Sequence, residues 1–362
     1  MDEAVTTLQP ECLTVFLNNR CNLACSYCHS GASATREPAL SSEAVADAAR
    51  IVARSCAGRG VPMTFVLHGG GEPLLDREDA ARALGIVRLQ AASAGVALST
   101  YVATNGVLPE MTARWAAAEF GLIGLSCDGP PDVQDVQRPR RNGEPTSAVV
   151  ERTAAILREG GAHFHVRATI TPATVTRQRD VVAYAIKVLR PAEVRLEPVY
   201  DNPSRMPGLM AEDAPAFVQG FLEARRYGAE QGVPVTTSLS RPGERHGPYC
   251  NVLRHVVNLA PGDFATGCFV ESRAQGALDR GVHIGSPGTS GRFELDDARI
   301  AALVAVCGRV PDECAGCPIE HACSRGCPDV CALDAAVSET VRLHDTFRCR
   351  AQRLLAEEAA LA

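Results

Sequence analysis

Three cysteines stand close together early in the chain, at 21, 25 and 28 in "NNRCNLACSYCHSG" (18–31). The Cys-x3-Cys-x2-Cys spacing gathers three thiols on one short stretch. Three chemistries are open to such a stretch: a metal centre, a disulfide framework, or plain buried thiols. A second group, Cys250, Cys268, Cys307, Cys314, Cys317, Cys323, Cys327, Cys331 and Cys349, crowds the last third of the sequence. Cys12, Cys56 and Cys127 stand apart and read as small buried hydrophobes.

Composition narrows the choice. The 362 residues are 46% hydrophobic and 22% charged, an ordinary globular balance with room for two domains or one large one. The net charge of −6 gives no basic footprint for a nucleic acid. No apolar run approaches the ~20 residues of a membrane span. The opening "MDEAVTTLQPEC" is acidic and has no apolar core of a signal peptide, so a cytoplasmic protein is expected. A reducing compartment does not sustain disulfides, and 15 thiols then point to metal.

The elements that must position the triplet follow from periodicity. "LTVFL" (13–17) reads as a strand running into it. "SSEAVADAARIVARSCAGRG" reads as a helix, with Val45, Ala48, Ala49 and Val52 on one face and Gly58 as its stop. "MTFVLHGGGEPLL", "ALSTYVATNG", "LIGLSCDGP", "HFHVRATITP" and "AEVRLEPVY" read as strands, each followed by a helical pattern. Strict alternation of this kind implies a parallel sheet with helical crossovers, its strands buried on both faces. Six units are too few for a closed eight-fold barrel, so an open partial (β/α)6 barrel is expected over residues 1–232. Beyond it, "HVVNLAPGDFATGCF" and "GVHIGSPGTSGRFEL" read as β-hairpins of a cysteine-rich region, 233–362, with short helices.

The triplet therefore follows the first strand of a parallel α/β domain, where sites are commonly built. Three thiolates can hold three irons of a [4Fe–4S] cluster and leave the fourth iron free. Zinc held by three cysteines with water or His29 is an equal rival on spacing alone.

The stretch resembles the signature of the radical S-adenosylmethionine (radical SAM) superfamily, which has this spacing and an aromatic, here Tyr27, before the third cysteine. A Gly-Gly-Glu-Pro turn after the second strand, Gly70-Gly71-Glu72-Pro73, is the family's second mark. The resemblance implies that Cys21, Cys25 and Cys28 hold the cluster and that Tyr27 lies beside the adenine of S-adenosylmethionine (AdoMet). It implies that Gly70, Gly71 and Glu72 bind the AdoMet amino group, and that Asn105, Ser126 and Arg138 lie near its ribose and carboxylate. The competing readings are a simple turn at Asn105-Gly106 and a surface arginine at Arg138.

The later spacing, Cys314-x2-Cys317-x5-Cys323-x3-Cys327, does not make a zinc ribbon. It resembles the SPASM extension of radical SAM enzymes. The resemblance implies two auxiliary [4Fe–4S] clusters, one held by Cys250, Cys268 and Cys327, the other by Cys314, Cys317, Cys323 and Cys349. The first lacks an obvious fourth ligand; an open iron, Cys331 or Cys307 are the candidates. Gly262 and Cys268 are separated by five residues where the family usually has four.

The implied enzyme is a radical SAM oxidoreductase with three [4Fe–4S] clusters. It cleaves AdoMet and oxidatively modifies, by cross-linking, a ribosomally made peptide. The alternatives are a small-molecule dehydrogenase and a sulfatase-maturating, formylglycine-forming enzyme. Against the last, Phe269 stands after Cys268 where that subgroup has an aspartate serving as a base; Glu271 or Asp263 would have to replace it. A non-catalytic metal module is disfavoured, because a structural site keeps four ligands. The expected partners are the peptide and an electron donor such as flavodoxin or ferredoxin; since only 20 residues precede Cys21, a leader would be bound by the barrel itself or by a separate leader-binding protein. Neither nucleic acid nor membrane is expected.

Overall fold

The computed structural model describes residues 8–30, 39–200, 206–239, 255–307, 314–320, 323 and 346–361. Cys250, Cys327 and Cys331 lie outside the described residues, as does the side chain of Cys307.

Strand β1 (Cys12–Val15) carries Leu13 and Val15 fully buried. Helix α1 (Ser42–Arg59) follows, opened by the Ser41 hydroxyl, which accepts from the Ala44 amide at 3.1 Å. Its Val45, Ala48, Ala49 and Val52 are all buried, as their spacing requires. The helix does not stop at Gly58. It runs on to Gly60, whose φ of 65° closes it in the left-handed conformation and lets its amide reach the Cys56 and Ala57 carbonyls. Gly58 is tolerated mid-helix, whereas only Gly60 terminates the helix geometrically.

The alternation continues through β2 (Met63–Leu67), α2 (Arg77–Ser93), β3 (Leu98–Thr104), α3 (Glu110–Glu119) and β4 (Leu122–Ser126). A short helix α4 (Pro131–Gln137), not anticipated from the sequence, precedes α5 (Ser147–Glu159). Its seven residues are too few to show a period, and Pro131 at its first turn reads equally as loop. Then come β5 (Phe164–Ile170), α6 (Gln178–Tyr184), β6 (Glu193–Pro198), α7 (Ala214–Glu230) and a two-residue strand β7 (Val235–Thr236), also unanticipated. Strand β8 (Val256–Ala260) with β9 (Phe264–Thr266), and β10 (His283–Pro287) with β11 (Phe293–Leu295), form the expected antiparallel hairpins.

Among the described residues eleven strands join one sheet, in the order β11-β10-β9-β8-β1-β2-β3-β4-β5-β6-β7. The β1-to-β7 strands pair in parallel, and β8 pairs in parallel with β1. The sheet thus runs unbroken across residue 232. Burial on both faces, as expected, holds along β1 and β8 and at the centre of β4, but not along β3 and β6. In β3, β5 and β6 one face (Val102, Val166, Ala168, Val194, Leu196) is fully buried beneath the helices. The opposite face (Tyr101, Arg167, Thr169, Arg195) is partly open. Among the described residues no helix is long and apolar enough to cross a membrane.

At two helical glycines, Gly58 in α1 and Gly85 in α2, an added methyl group would meet nothing within 4 Å. Gly58→Ala and Gly85→Ala should each raise stability by about 0.5–1 kcal/mol in urea unfolding. Gly60→Ala, at a left-handed φ, should lower it.

Candidate active site

The carboxyl ends of the parallel strands open into a cavity of about 620 Å³. Cys21, Cys25, Cys28, Gly70, Gly71, Glu72, Asn105, Ser126, Tyr27 and Arg138 all line it. The fold thus brings together every residue of the amino-terminal half singled out from the sequence.

Two loops form one wall. The chain leaving β1 lies against the glycine loop that leaves β2. The Gly71 amide donates to the Asn18 carbonyl at 2.9 Å, and the Glu72 amide to the Arg20 carbonyl at 2.8 Å. The Asn18 carboxamide oxygen accepts from the Arg20 amide at 2.8 Å. A methyl at 69 would enter the Phe16 ring, one at 70 the Asn18 carbonyl and one at 71 the Arg20 carbonyl. The glycines are therefore needed for an approach to the cysteine loop itself, and the Gly71 and Glu72 amides are already used there.

Glu72 is buried and accepts three hydrogen bonds, from the Leu74 amide (3.0 Å), the Thr104 hydroxyl (2.8 Å) and the Asn105 amide (2.7 Å). Burial pushes its carboxyl up to about 7, against the pull of those donors. Asn105 both makes the turn and touches the triplet. Its side-chain amide donates to Asn22 at 2.8 Å and to the Cys21 sulfur at 3.6 Å. Gly106 beside it has φ 75°.

The Cys21 sulfur also accepts from the Leu23 amide at 3.4 Å, and the Cys28 sulfur lies 3.2 Å from the Ser30 hydroxyl. Burial raises the Cys21 thiol and pushes Cys25 up to about 12, so these thiols hold their protons until something replaces them. Three soft sulfur donors on one cavity wall, with N–H groups aimed at one of them, fit an iron–sulfur cluster. Among the described residues no three His, Cys, Asp or Glu side chains converge closely enough to hold a single metal ion.

Arg138 is not a surface arginine. It is 9% exposed, with Nε 3.0 Å from the fully buried Asp128 carboxylate and its guanidinium 5.4 Å over the Tyr27 ring. Asp128 also accepts from the Tyr27 hydroxyl (2.5 Å), the Gln137 amide (2.9 Å) and the Thr169 backbone amide (2.9 Å). This hub fastens the cysteine loop to β4, α4 and β5. Asp128 stands in the "LSCDGP" stretch, but nothing local revealed its four partners.

Phe269 lines the cavity and packs on His68, ring centroids 4.4 Å apart. Neither expected stand-in for an aspartate there reaches the cavity. Asp263 accepts from the Ser41 amide, and Glu271 accepts from the Arg273 amide. Among the described residues the carboxylates on the wall are Glu72 and Glu197 instead. Glu197, at the end of β6, accepts from the Ser238 amide at 3.2 Å and from its hydroxyl. Only the "EP" at the end of an alternating strand could have signalled it.

Of the second cysteine group, Cys268 is buried just after β9. Cys314 and Cys317 share a turn through Gly316 at φ 74°. Cys323 donates its amide to the Ile319 carbonyl at 2.9 Å. Cys349 lies in the first turn of a helix, Phe347–Leu361, whose Phe347 and Arg348 line the cavity.

Residues 15–176 match the family model of the radical SAM superfamily, so this part of the chain is a radical SAM domain. That superfamily uses AdoMet and a [4Fe–4S] cluster. The fold is similar to that of native anSMEcpe with bound AdoMet, with TM-score 0.76 and 18% identity over 97% of this chain and 98% of that one. It is also similar to anSMEcpe with bound AdoMet and Cp18Cys peptide (TM-score 0.75, 20% identity, 97% of each chain). Streptococcus suis SuiB bound to precursor peptide SuiA is more distant: TM-score 0.57 and 14% identity over 87% of this chain and 71% of that one.

A buried carboxyl at about 7 has a definite consequence for the metal-free protein. Raised above its unfolded value of about 4.5, Glu72 contributes stability that is complete below that pH and is lost as pH climbs through 7. The loss amounts to about 3 kcal/mol in all, about 2 kcal/mol of it between pH 5.5 and 8. Urea unfolding at pH 5.5 and 8 should show this slope in the wild type and not in Glu72→Gln. An equal slope in both would remove Glu72 as its source.

Proposed function

We propose that this chain is a peptide-modifying radical SAM enzyme in which Cys21, Cys25 and Cys28 hold the catalytic [4Fe–4S] cluster. The observation that carries the reading is the closure of the cysteine loop and the Gly-Gly-Glu loop over one cavity. Bound cluster and AdoMet together supply a 5′-deoxyadenosyl radical, formed with methionine when one electron enters. The chain's own residues do the rest. Glu72 offers a buried carboxylate to the AdoMet amino group, and the ammonium would draw its proton off. Ser126 and Asn105 face the same space. Tyr27, clamped by Asp128 and Arg138, presents a fixed ring edge rather than a free hydroxyl. Residues 1–232 form the barrel part. Residues 233–362 carry the auxiliary clusters, with Cys250, Cys268 and Cys327 on one and Cys314, Cys317, Cys323 and Cys349 on the other.

A peptide substrate is supported by the open cavity and by the peptides named in the anSMEcpe and SuiB structures of similar fold. Loss of two hydrogens per event, with a bond closed between two side chains, leaves one proton and one electron to dispose of. Glu197, a second carboxylate on the cavity wall among the described residues, would take the proton, and the auxiliary clusters would take the electron.

Anaerobically reconstituted protein should hold three clusters, about twelve irons per chain. Replacing Cys21, Cys25 and Cys28 by alanine should remove about a third of that iron and all AdoMet cleavage. Unchanged iron would refute the assignment.

Co-expression with a short open reading frame beside the gene should give a peptide lighter by about 2 Da, mapped to two linked residues; turnover of a free amino acid or sugar instead would favour the small-molecule reading. A sulfatase-motif peptide should yield no formylglycine aldehyde by mass spectrometry, because Phe269 cannot accept a proton.

A further inference from the structure

Cleavage of AdoMet consumes one electron per event, and that electron must reach the cysteine loop from a carrier. The main cavity is the substrate's side of the loop. Behind the loop lies a second cavity of about 410 Å³, between Asn22, Leu75, Val107, Pro109, Arg140 and Arg152. We propose that this face docks a small acidic one-electron carrier protein. The proposal rests on the radical SAM reading above.

Its first support is the shortness of the path. Asn22, in the wall of this groove, is the chain neighbour of Cys21. Its side-chain amide donates to the Val107 carbonyl at 2.8 Å, and its oxygen accepts from Asn105, which also reaches the Cys21 sulfur at 3.6 Å. Arg141 Nε donates to the Cys21 carbonyl at 2.7 Å. The groove and the cysteine loop therefore share a wall one residue thick.

Charge is the second support. On a chain of net charge −6, two arginines, Arg140 and Arg152, line this groove, and Arg141 follows Arg140 in the chain. Arg140 is loosely paired, 3.7 Å from the exposed Glu144. Arg152 is exposed and has no acidic partner among the described residues. Such a patch attracts an acidic protein and sets its orientation on approach. Between the arginines lie Leu75, 39% exposed, and the exposed Pro109, enough apolar contact for a brief encounter burying less than about 1,200 Å².

The test uses two reductants on the reconstituted holoenzyme. Dithionite reduces without docking; reduced flavodoxin must dock. In Arg152→Glu and in Arg140→Glu/Arg152→Glu, deoxyadenosine formation driven by flavodoxin should fall by about tenfold or more. Formation driven by dithionite should stay within about twofold of wild type, with iron content unchanged. Flavodoxin binding to wild type, read by surface plasmon resonance, should weaken as salt rises from about 50 to 300 mM, and should weaken further in both variants. Equal rates with flavodoxin in wild type and variants, or equal loss with both reductants, would overturn the docking face. Salt-sensitive flavodoxin binding, lost in the variants, by an enzyme that cleaves no AdoMet with either reductant would support the face and overturn the radical reading instead.

Discussion

The site depends on two loops lying closer than side chains permit. Residues 69–71 press against residues 16–20, and at each of the three positions a methyl group would meet an aromatic ring or a carbonyl. Glycine loses more backbone entropy on folding than any other residue. Three in a row would be a poor choice for a simple turn. Here the loss is offset by two backbone hydrogen bonds of 2.8–2.9 Å that continue the β1–β2 pairing beyond the strand ends. The cysteine loop thereby inherits its position from the middle of the sheet, where β1 is held by β2 on one side and β8 on the other. A loop that is to present three sulfurs to one cluster, as proposed, cannot take its geometry from itself.

Two buried carboxylates then show how different environments set different roles. Glu72 meets only neutral donors, so its charge is poorly compensated and burial lifts it to about 7. It is poised to give up its proton to the field of an incoming cation. Asp128 faces a guanidinium at 3.0 Å, and its oxygens are engaged by Tyr27, Gln137 and Thr169 as well. That charge is matched within the protein, and it serves to pin the loop rather than to bind. The same logic reassigns Arg138: with Asp128 beside it and Tyr27 beneath it, its charge is already neutralised in place.

What could be read in the sequence was whatever is local. The triplet and the Gly-Gly-Glu-Pro turn carry their spacing with them, and the strand–helix alternation is a periodicity of neighbouring residues. The hairpins 256–266 and 283–295 were legible from their glycine turns. What could not be read depends on distant partners. Helix α4 is too short for a period, and β7 has two residues, held only by its pairing with β6. The parallel pairing of β8 with β1 joins segments some 240 residues apart, which no local pattern encodes. The Asp128 hub draws on Tyr27, Gln137, Arg138 and Thr169 from separate stretches, and Glu197 is tied to Ser238 across a turn of the fold.

The alternating burial of β3, β5 and β6 explains why there is a cavity at all. Parallel strands covered on both faces are apolar throughout, as in the centre of β4. In a closed eight-stranded barrel the inward side chains fill the interior in layers. An open sheet cannot close that packing, so its inner face must remain compatible with water or a ligand. Tyr101, Arg167, Thr169 and Arg195 on that face, against Val102, Val166, Ala168, Val194 and Leu196 on the other, are the consequence in residue types. The polar inner face is therefore a sign of an unclosed sheet rather than of any one ligand. Specificity has to come from what is added at the rim: the cysteine loop, Phe269 packed on His68, and Glu197 held by Ser238. Those three lie on different elements, so the chemistry can change at the rim while the sheet beneath stays the same.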